Sequence, residues 1–346
     1  MPTLPLIKPR RLAPGACIGV TAPSAPTHVS CHERYQKGLA NLRRLGFKVV
    51  EGDLVASGQQ QGYRTGTPRQ RAEELMALFL RPEVDAIMTT IGGANSSSLL
   101  PYLDFAAIRA NPKWFIGYSD VTALHMALYT QAGLSSLYGP AVIPTFGEWP
   151  DGFEYSNQSF LDAVQRHVAG PRRLFEPECW SREAPRWTVP EARDPAQRIW
   201  RSQPGWRTLR PGIVEAEAVP LNLNTACALA GTAYFPNLTG KIVLLEEMAG
   251  PYSRLERNLR QLELMGVFDN AAAVIFSKIE FPDSEQAPFD SNDLLLEIIG
   301  SRPIPVVTDF DCGHTHPMLA LALGCRLRVE ATELVELMLL EPMLAS

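Results

Sequence analysis

From Ala16 to Gly133 the chain alternates short apolar runs with stretches of helical periodicity, and no other feature narrows the possible folds as much. Ala16 to Thr21 (ACIGVT) is a strand-like run that ends in the breaker APSAP. His32 to Leu45 has helical spacing, Gly46 stops it, and Phe47 to Val50 reads as the next strand. Pro68 to Leu80 begins with proline, which a first helical turn accepts, and carries an apolar face. Val84 to Ile91 (VDAIMTTI) reads as a buried strand followed by GGANSSS, and Phe115 and Ile116 end another that leads into DVTALHMALYTQAG. Such β-α alternation implies a parallel sheet with helices on both faces. Ligand sites in these sheets lie beyond the carboxyl ends of the strands. GGANSSS and GYSD, Gly117 to Asp120, both fall there.

Between Gly170 and Arg210 the pattern fails. Four of the six tryptophans (Trp180, Trp187, Trp200 and Trp206) lie in this stretch, among many arginines and prolines. A structureless stretch of that length is functional or disordered, and its tryptophans argue against disorder. A lid or a locally packed linker remains. Beyond it, Lys241 to Leu245, Ala271 to Ser277 and Ile304 to Thr308 read as strands, and Tyr252 to Met265 and Asp293 to Ile299 as helices. Cys325 to Ala331 and Leu334 to Leu340 look like closing strands. The expected fold is α/β. An N-terminal parallel-sheet (Rossmann-like) domain spans 1–169, a tryptophan-rich connecting loop or lid 170–210, and a C-terminal β-rich α/β domain 211–346.

A net charge of -5 gives no electrostatic reason to expect nucleic acid or an anionic membrane as partner. The short basic cluster Lys8, Arg10 and Arg11 reads as a solvated start. Six widely spread cysteines without a CxxC pair suit free thiols in a reducing compartment. No segment approaches the ~20 apolar residues of a membrane span, and the proline-broken start resembles no signal peptide. A cytoplasmic protein is expected.

Three places carry candidate chemistry. In GYSD, a serine at a strand-to-helix junction has its hydroxyl near free backbone N–H groups that stabilise an oxyanion. The bland alternative is that Ser119 or Asp120 is a helix N-cap. The hydrolase elbow GxSxG is not met, because Val121 takes the last position. In GGANSSS, Gly92 and Gly93 allow close backbone approach to a ligand, and Asn95 and Ser96 suit a carboxylate or a helix cap. In DFDCGHTHP, Asp309 to Pro317, two aspartates, a cysteine and two histidines crowd together. That cluster is open between a metal site using Asp311, Cys312, His314 and His316, a catalytic base, and structural histidines. His125 lies six residues beyond Ser119, about 600° round a helix and off the face above its start; it reads as a packing or surface histidine. His28, His32 and His167 have no supporting constellation. Glu246, at a strand's carboxyl end, is placed to orient a histidine through Nδ1–H, and Glu247 then points the other way.

Seven collinear segments resemble the LD-carboxypeptidase and microcin C immunity family of serine peptidases. They begin at Ile18 (IGVTAPSAP), Gly62 (GYRTGTPRQRAEEL), Thr90 (TIGGANSSSLLPYLDF), Gly117 (GYSDVTALHMAL), Leu223 (LNTACALAGTAYFPNLTGKIVLLEE), Arg254 (RLERNLRQL) and Cys312 (CGHTHPMLALALG). The resemblance implies Ser119 as nucleophile, Glu246 and His314 as its partners, and the amides of Asp120 and Gly93 as oxyanion donors. TIGG followed by Asn95 and Ser96 is closer to the immunity branch, where a loop tryptophan stacks on a nucleobase; Trp187 is the best match. Gly92, Asn95, Ser96, Trp187 and Asn222 are the implied substrate contacts. The resemblance also implies a homodimer, no cofactor and no metal. The substrate would be a small peptide or peptidyl-nucleotide conjugate, with a murein tetrapeptide as the alternative. One departure stands out: Pro220 and Leu221 replace the glycine pair that usually precedes NLNT, which stiffens the backbone there. A non-catalytic ligand-binding α/β protein is the rival outside enzymology.

Overall fold

The computed structural model describes residues 4–166, 170–182, 187–188, 193–194 and 198–345. His167 and parts of the tryptophan-rich stretch, at 183–186, 189–192 and 195–197, lie outside the described residues.

Two sheets form the core of a mixed α/β fold. The first has six strands in the order Leu321–Ala322, Leu137–Tyr138, Trp114–Gly117, Ala86–Thr89, Cys17–Thr21 and Lys48–Glu51. All its pairings are parallel except that of Leu321–Ala322 with Leu137–Tyr138. Every residue of Cys17–Thr21, Ala86–Thr89 and Trp114–Gly117 is buried. These strands read as continuous apolar runs because helices cover both of their faces. Pro68–Leu80 is one of those helices. It opens with a capping box in which Thr67 accepts from the Gln70 amide and the Gln70 side chain accepts from the Thr67 amide.

The second sheet has eight strands, with Gly212–Asn222, Ile242–Glu246, Ala273–Ser277 and Val306–Phe310 parallel at its centre. Antiparallel strands flank them: Cys325–Ala331, Val335–Leu339 and Arg172–Arg173 on one side, Arg207–Arg210 on the other. The two sheets share a chain crossing that matters for the site. Directly after the turn at 309–317, the chain returns to the first sheet as Leu321–Ala322 before re-entering the second.

Two elements differ from the sequence reading. Gly212–Asn222 is a long strand whose outer half alternates and whose inner half is fully buried, so no single period marks it. Pro220 and Leu221 sit inside it, paired with Leu244 and Leu245, which makes the replaced glycine pair part of the sheet. The helix expected after Ser119 is broken into a 3-10 turn Ser119–Val121, an α-helix Thr122–Ala127 and a wide turn Leu128–Ala132 ended by left-handed Gly133. Among the described residues, no helix is long and apolar enough to cross a membrane.

Candidate active site

Trp114–Gly117 delivers Ser119 to the carboxyl edge of the first sheet. Ser119 sits at φ 67°, a left-handed conformation that is rare for a residue with a Cβ and costs of order 1–3 kcal/mol. Surrounding contacts hold it there. The Asp120 carboxylate accepts the amides of Asn95 and Ser96 at 3.0 and 2.9 Å, and the buried Ser96 hydroxyl donates to the Asp120 carbonyl at 2.7 Å. The Asp120 amide is a first-turn donor, which a helix leaves without an internal acceptor. A Cβ at Gly92 would lie 3.2 Å from that amide and 3.2 Å from Ser119 Oγ, so only glycine keeps this approach open.

His314 Nε2 lies 3.0 Å from Ser119 Oγ, and His314 Nδ1 lies 2.6 Å from Glu246 Oε2. Glu246 is fully buried as the last residue of its strand. Its second oxygen accepts from the Tyr138 hydroxyl at 2.6 Å and from Asn222 Nδ2 at 2.9 Å. Gly313 lets the histidine turn lie against this carboxylate: a Cβ there would collide with Glu246. Burial by itself would push the His314 imidazole down. The adjacent Glu246 charge and hydrogen bond outweigh it and raise His314 above its ordinary value.

The other members of DFDCGHTHP face away from this constellation. Asp311 is fully buried, paired with Lys278 at 2.6 Å, and accepts from Trp206 Nε1 at 2.9 Å and Gln203 at 2.7 Å. Burial pushes its carboxyl up even against the pull of Lys278. Asp309 pairs with Arg207. His316 stacks on Phe153 with ring centroids 4.8 Å apart, and its backbone exchanges hydrogen bonds with Ser181. Burial, reinforced by the charges of Arg198 and Arg34, holds His316 well below the ordinary imidazole range. Asp311, Cys312, His314 and His316 therefore do not converge, and among the described residues no group of three or more His, Cys, Asp or Glu is arranged to hold a metal ion.

The remaining candidates separate into two sets. Asn95 and Ser96 brace the Ser119 turn: Asn95 Oδ1 accepts from Arg71, and Ser96 is fully buried. Asn222 is equally committed, with Oδ1 capping the helix Leu223–Ala228 through the Thr225 amide. Within the fold, the Ser96 hydroxyl supports Asp120 and the Asn222 side chain supports Glu246 and Thr225. Trp187 stands apart. It stacks under the Arg34 guanidinium at 4.9 Å and lines a cavity of about 300 Å³ with Arg34, His32 and Trp149. His125 is buried between Ser136 Oγ and the Gly117 carbonyl, and burial lowers it to about 4. Glu247 diverges from Glu246 toward Arg254 and Leu255; burial first, then the Glu246 charge, raise it to about 7. Tyr138, Lys278 and Gln203 escaped sequence reasoning because nothing in their local sequence marks them, and Trp206 was noted only as one of the loop tryptophans.

A serine hydroxyl on a strained turn, hydrogen-bonded to a buried histidine that is hydrogen-bonded in turn to a buried carboxylate, is a geometry that suits a covalent hydrolase. Residues 18–139 match the LD-carboxypeptidase N-terminal domain and residues 215–329 its C-terminal domain. The chain belongs to the LD-carboxypeptidase family and is a serine hydrolase of its carboxypeptidase and amidase class. Within that family it is similar to the microcin C7 self-immunity protein MccF of Escherichia coli, at 39% identity over 92% of each chain. A carboxypeptidase homologue of Vibrio cholerae is 37% identical over 92% of this chain and 93% of its own. The structure of MccF in complex with aspartyl sulfamoyl adenosine superposes with a TM-score of 0.93 at 37% identity, covering 98% of this chain and 100% of that one.

Proposed function

We propose that the protein cleaves an amide bond in an aminoacyl- or peptidyl-nucleotide conjugate, with Ser119, His314 and Glu246 acting as a triad. The observation that carries this reading is the unbroken chain of hydrogen bonds from Ser119 Oγ through both ring nitrogens of His314 to Glu246. His314 takes the Ser119 proton, and Ser119 Oγ attacks the substrate carbonyl. The amides of Asp120 and Gly93 hold the oxyanion, each donor contributing about 3–4 kcal/mol to lowering the barrier. His314 then protonates the leaving amine, and water hydrolyses the acyl-enzyme. Glu246 fixes the tautomer that leaves Nε2 free to accept. Because Glu246 raises His314, the acid limb of activity falls above the ordinary imidazole value of about 6.5.

Likeness to MccF, whose solved structure holds an aminoacyl sulfamoyl nucleoside, favours a nucleotide conjugate over a murein peptide. Trp187, at the edge of its cavity, is the aromatic surface assigned to the base. The protein acts as a cytoplasmic homodimer without cofactor. The test is a mass-spectrometric assay of wild type and Ser119→Ala against aspartyl sulfamoyl adenosine and a murein tetrapeptide. Wild type releases free amino acid from the nucleotide conjugate, and the variant loses several orders of magnitude in turnover while folding normally. Near-normal turnover by Ser119→Ala removes the triad; cleavage of the tetrapeptide alone moves the substrate to murein.

A further inference from the structure

The Tyr138 hydroxyl lies between two parts of the site that reach it from different sheets. It donates to Glu246 Oε1 at 2.6 Å and accepts the backbone N–H of Ser119 at 3.1 Å. Thr122 Oγ1 donates to it more weakly, at 3.4 Å. Its backbone is in register with Gly117, two residues before the nucleophile, on one side. On the other side it pairs with Leu321, in the strand that follows the histidine turn. One residue thus touches the nucleophile's strand and amide, the triad carboxylate and the return strand of the histidine loop. The side chain is fully buried, which strengthens its hydrogen bonds over their solvent-exposed counterparts.

We infer that Tyr138 is a positioning residue of the catalytic centre. Its hydroxyl couples the strained Ser119 backbone to Glu246, so that the two halves of the triad keep their spacing as charge moves through His314. This rests on the triad reading above. A hydroxyl has a single proton, and here that proton goes to the carboxylate. It therefore stabilises the charged form of Glu246, which in turn sets how tightly His314 holds its own proton. Burial, with the Glu246 charge next, raises the phenol far above its ordinary range and keeps it a donor at all working pH values. The Ser119 amide, accepted on the same oxygen, is the fixed end of the coupling.

The test is Tyr138→Phe, assayed with aspartyl sulfamoyl adenosine beside Ser119→Ala and Tyr129→Phe. Tyr129→Phe removes a half-buried hydroxyl that touches Glu217, away from the site, and is expected to behave as wild type. Tyr138→Phe is expected to lower kcat roughly 10- to 100-fold with KM within about threefold. Without the donor, Glu246 binds the imidazolium more tightly, so the acid limb of kcat/KM moves to higher pH. Incorporating 3-fluorotyrosine at 138 keeps the packing and strengthens the donor, and it moves the limb to lower pH. This second variant keeps the test open should Tyr138→Phe fail to fold. An unmoved acid limb in both, or a kcat within threefold of wild type in Tyr138→Phe, overturns the proposal. If Ser119→Ala retains turnover, the triad reading itself fails; if Ser119→Ala is inactive and Tyr138→Phe behaves as wild type, only the role of Tyr138 fails.

Discussion

The turn at Ser119 is built from its own neighbourhood in the chain, whereas the turn at 309–317 hangs on distant partners. Around Ser119, the bracing hydrogen bonds come from Asn95, Ser96 and Tyr138, all within 25 residues. Around His314, Lys278 is 33 residues from Asp311, Trp206 is 105, and Gln203 is 108. Arg207 is 102 residues from Asp309. The Ser119 turn thus carries local backbone strain that short-range contacts restrain. The histidine turn carries buried charge that only the tertiary fold neutralises. Substitutions in the first should act on chemistry with little loss of stability, and substitutions in the second should act on stability as much as on chemistry.

The sharpest way to break that contrast lies inside the histidine turn. His314→Ala is expected to lower kcat by about 10³-fold or more, because the proposed triad loses its general base. His316→Leu, which replaces a neutral ring stacked on Phe153, is expected to stay within about tenfold of wild type; steady-state kinetics on both variants separates them. Next in size is Asp311→Ala, which strands the Lys278 ammonium. It should cost about 3–5 kcal/mol in denaturant unfolding, while Lys278→Met combined with Asp311→Leu recovers most of that loss.

Glu247 offers a comparison through pH. Its carboxyl is raised to about 7 in the folded chain from 4.5, so between those values the folded state binds more protons than the unfolded one. Stability therefore falls as pH rises from 4.5 through 7. Glu247→Gln should remove up to about 3 kcal/mol of that penalty at pH 8 and change nothing at pH 4, where both states are protonated. Unfolding midpoints of the two proteins across that range check it. The smallest effect belongs to the nucleophile turn: Ser119→Gly relieves the φ of 67° and should stabilise the inactive protein by about 1 kcal/mol.

The same contrast explains what could be read from the sequence. The parallel first sheet was legible, since strands buried on both faces and helices with one apolar side leave periodicities in the chain. GYSD was recognisable as a strand-to-helix junction for the same reason. The histidine turn was legible only as a crowd of polar residues. Locally, His314 and His316 are equivalent; what separates them is Glu246 beneath one ring and Phe153 beneath the other, 68 and 163 residues away in the chain. Collinearity with a known family pointed to His314, which the fold places between Ser119 and Glu246. Ser96 and Asn222 show another limit of local reading. Motif position marked them as substrate contacts, and only the fold shows that they also hydrogen-bond Asp120 and Glu246. Tyr138 left no local trace, because the partners of its hydroxyl, the Ser119 amide and Glu246, meet only in the fold.

The account stands on Ser119 and His314 working as one unit across the two sheets. Single-turnover rates for Ser119→Ala, His314→Ala and the double variant, measured on aspartyl sulfamoyl adenosine, test that most directly. The prediction is that all three fall by about the same large factor, since removing either member already disables the pair. Losses that multiply in the double variant, or a single variant close to wild type, would contradict it.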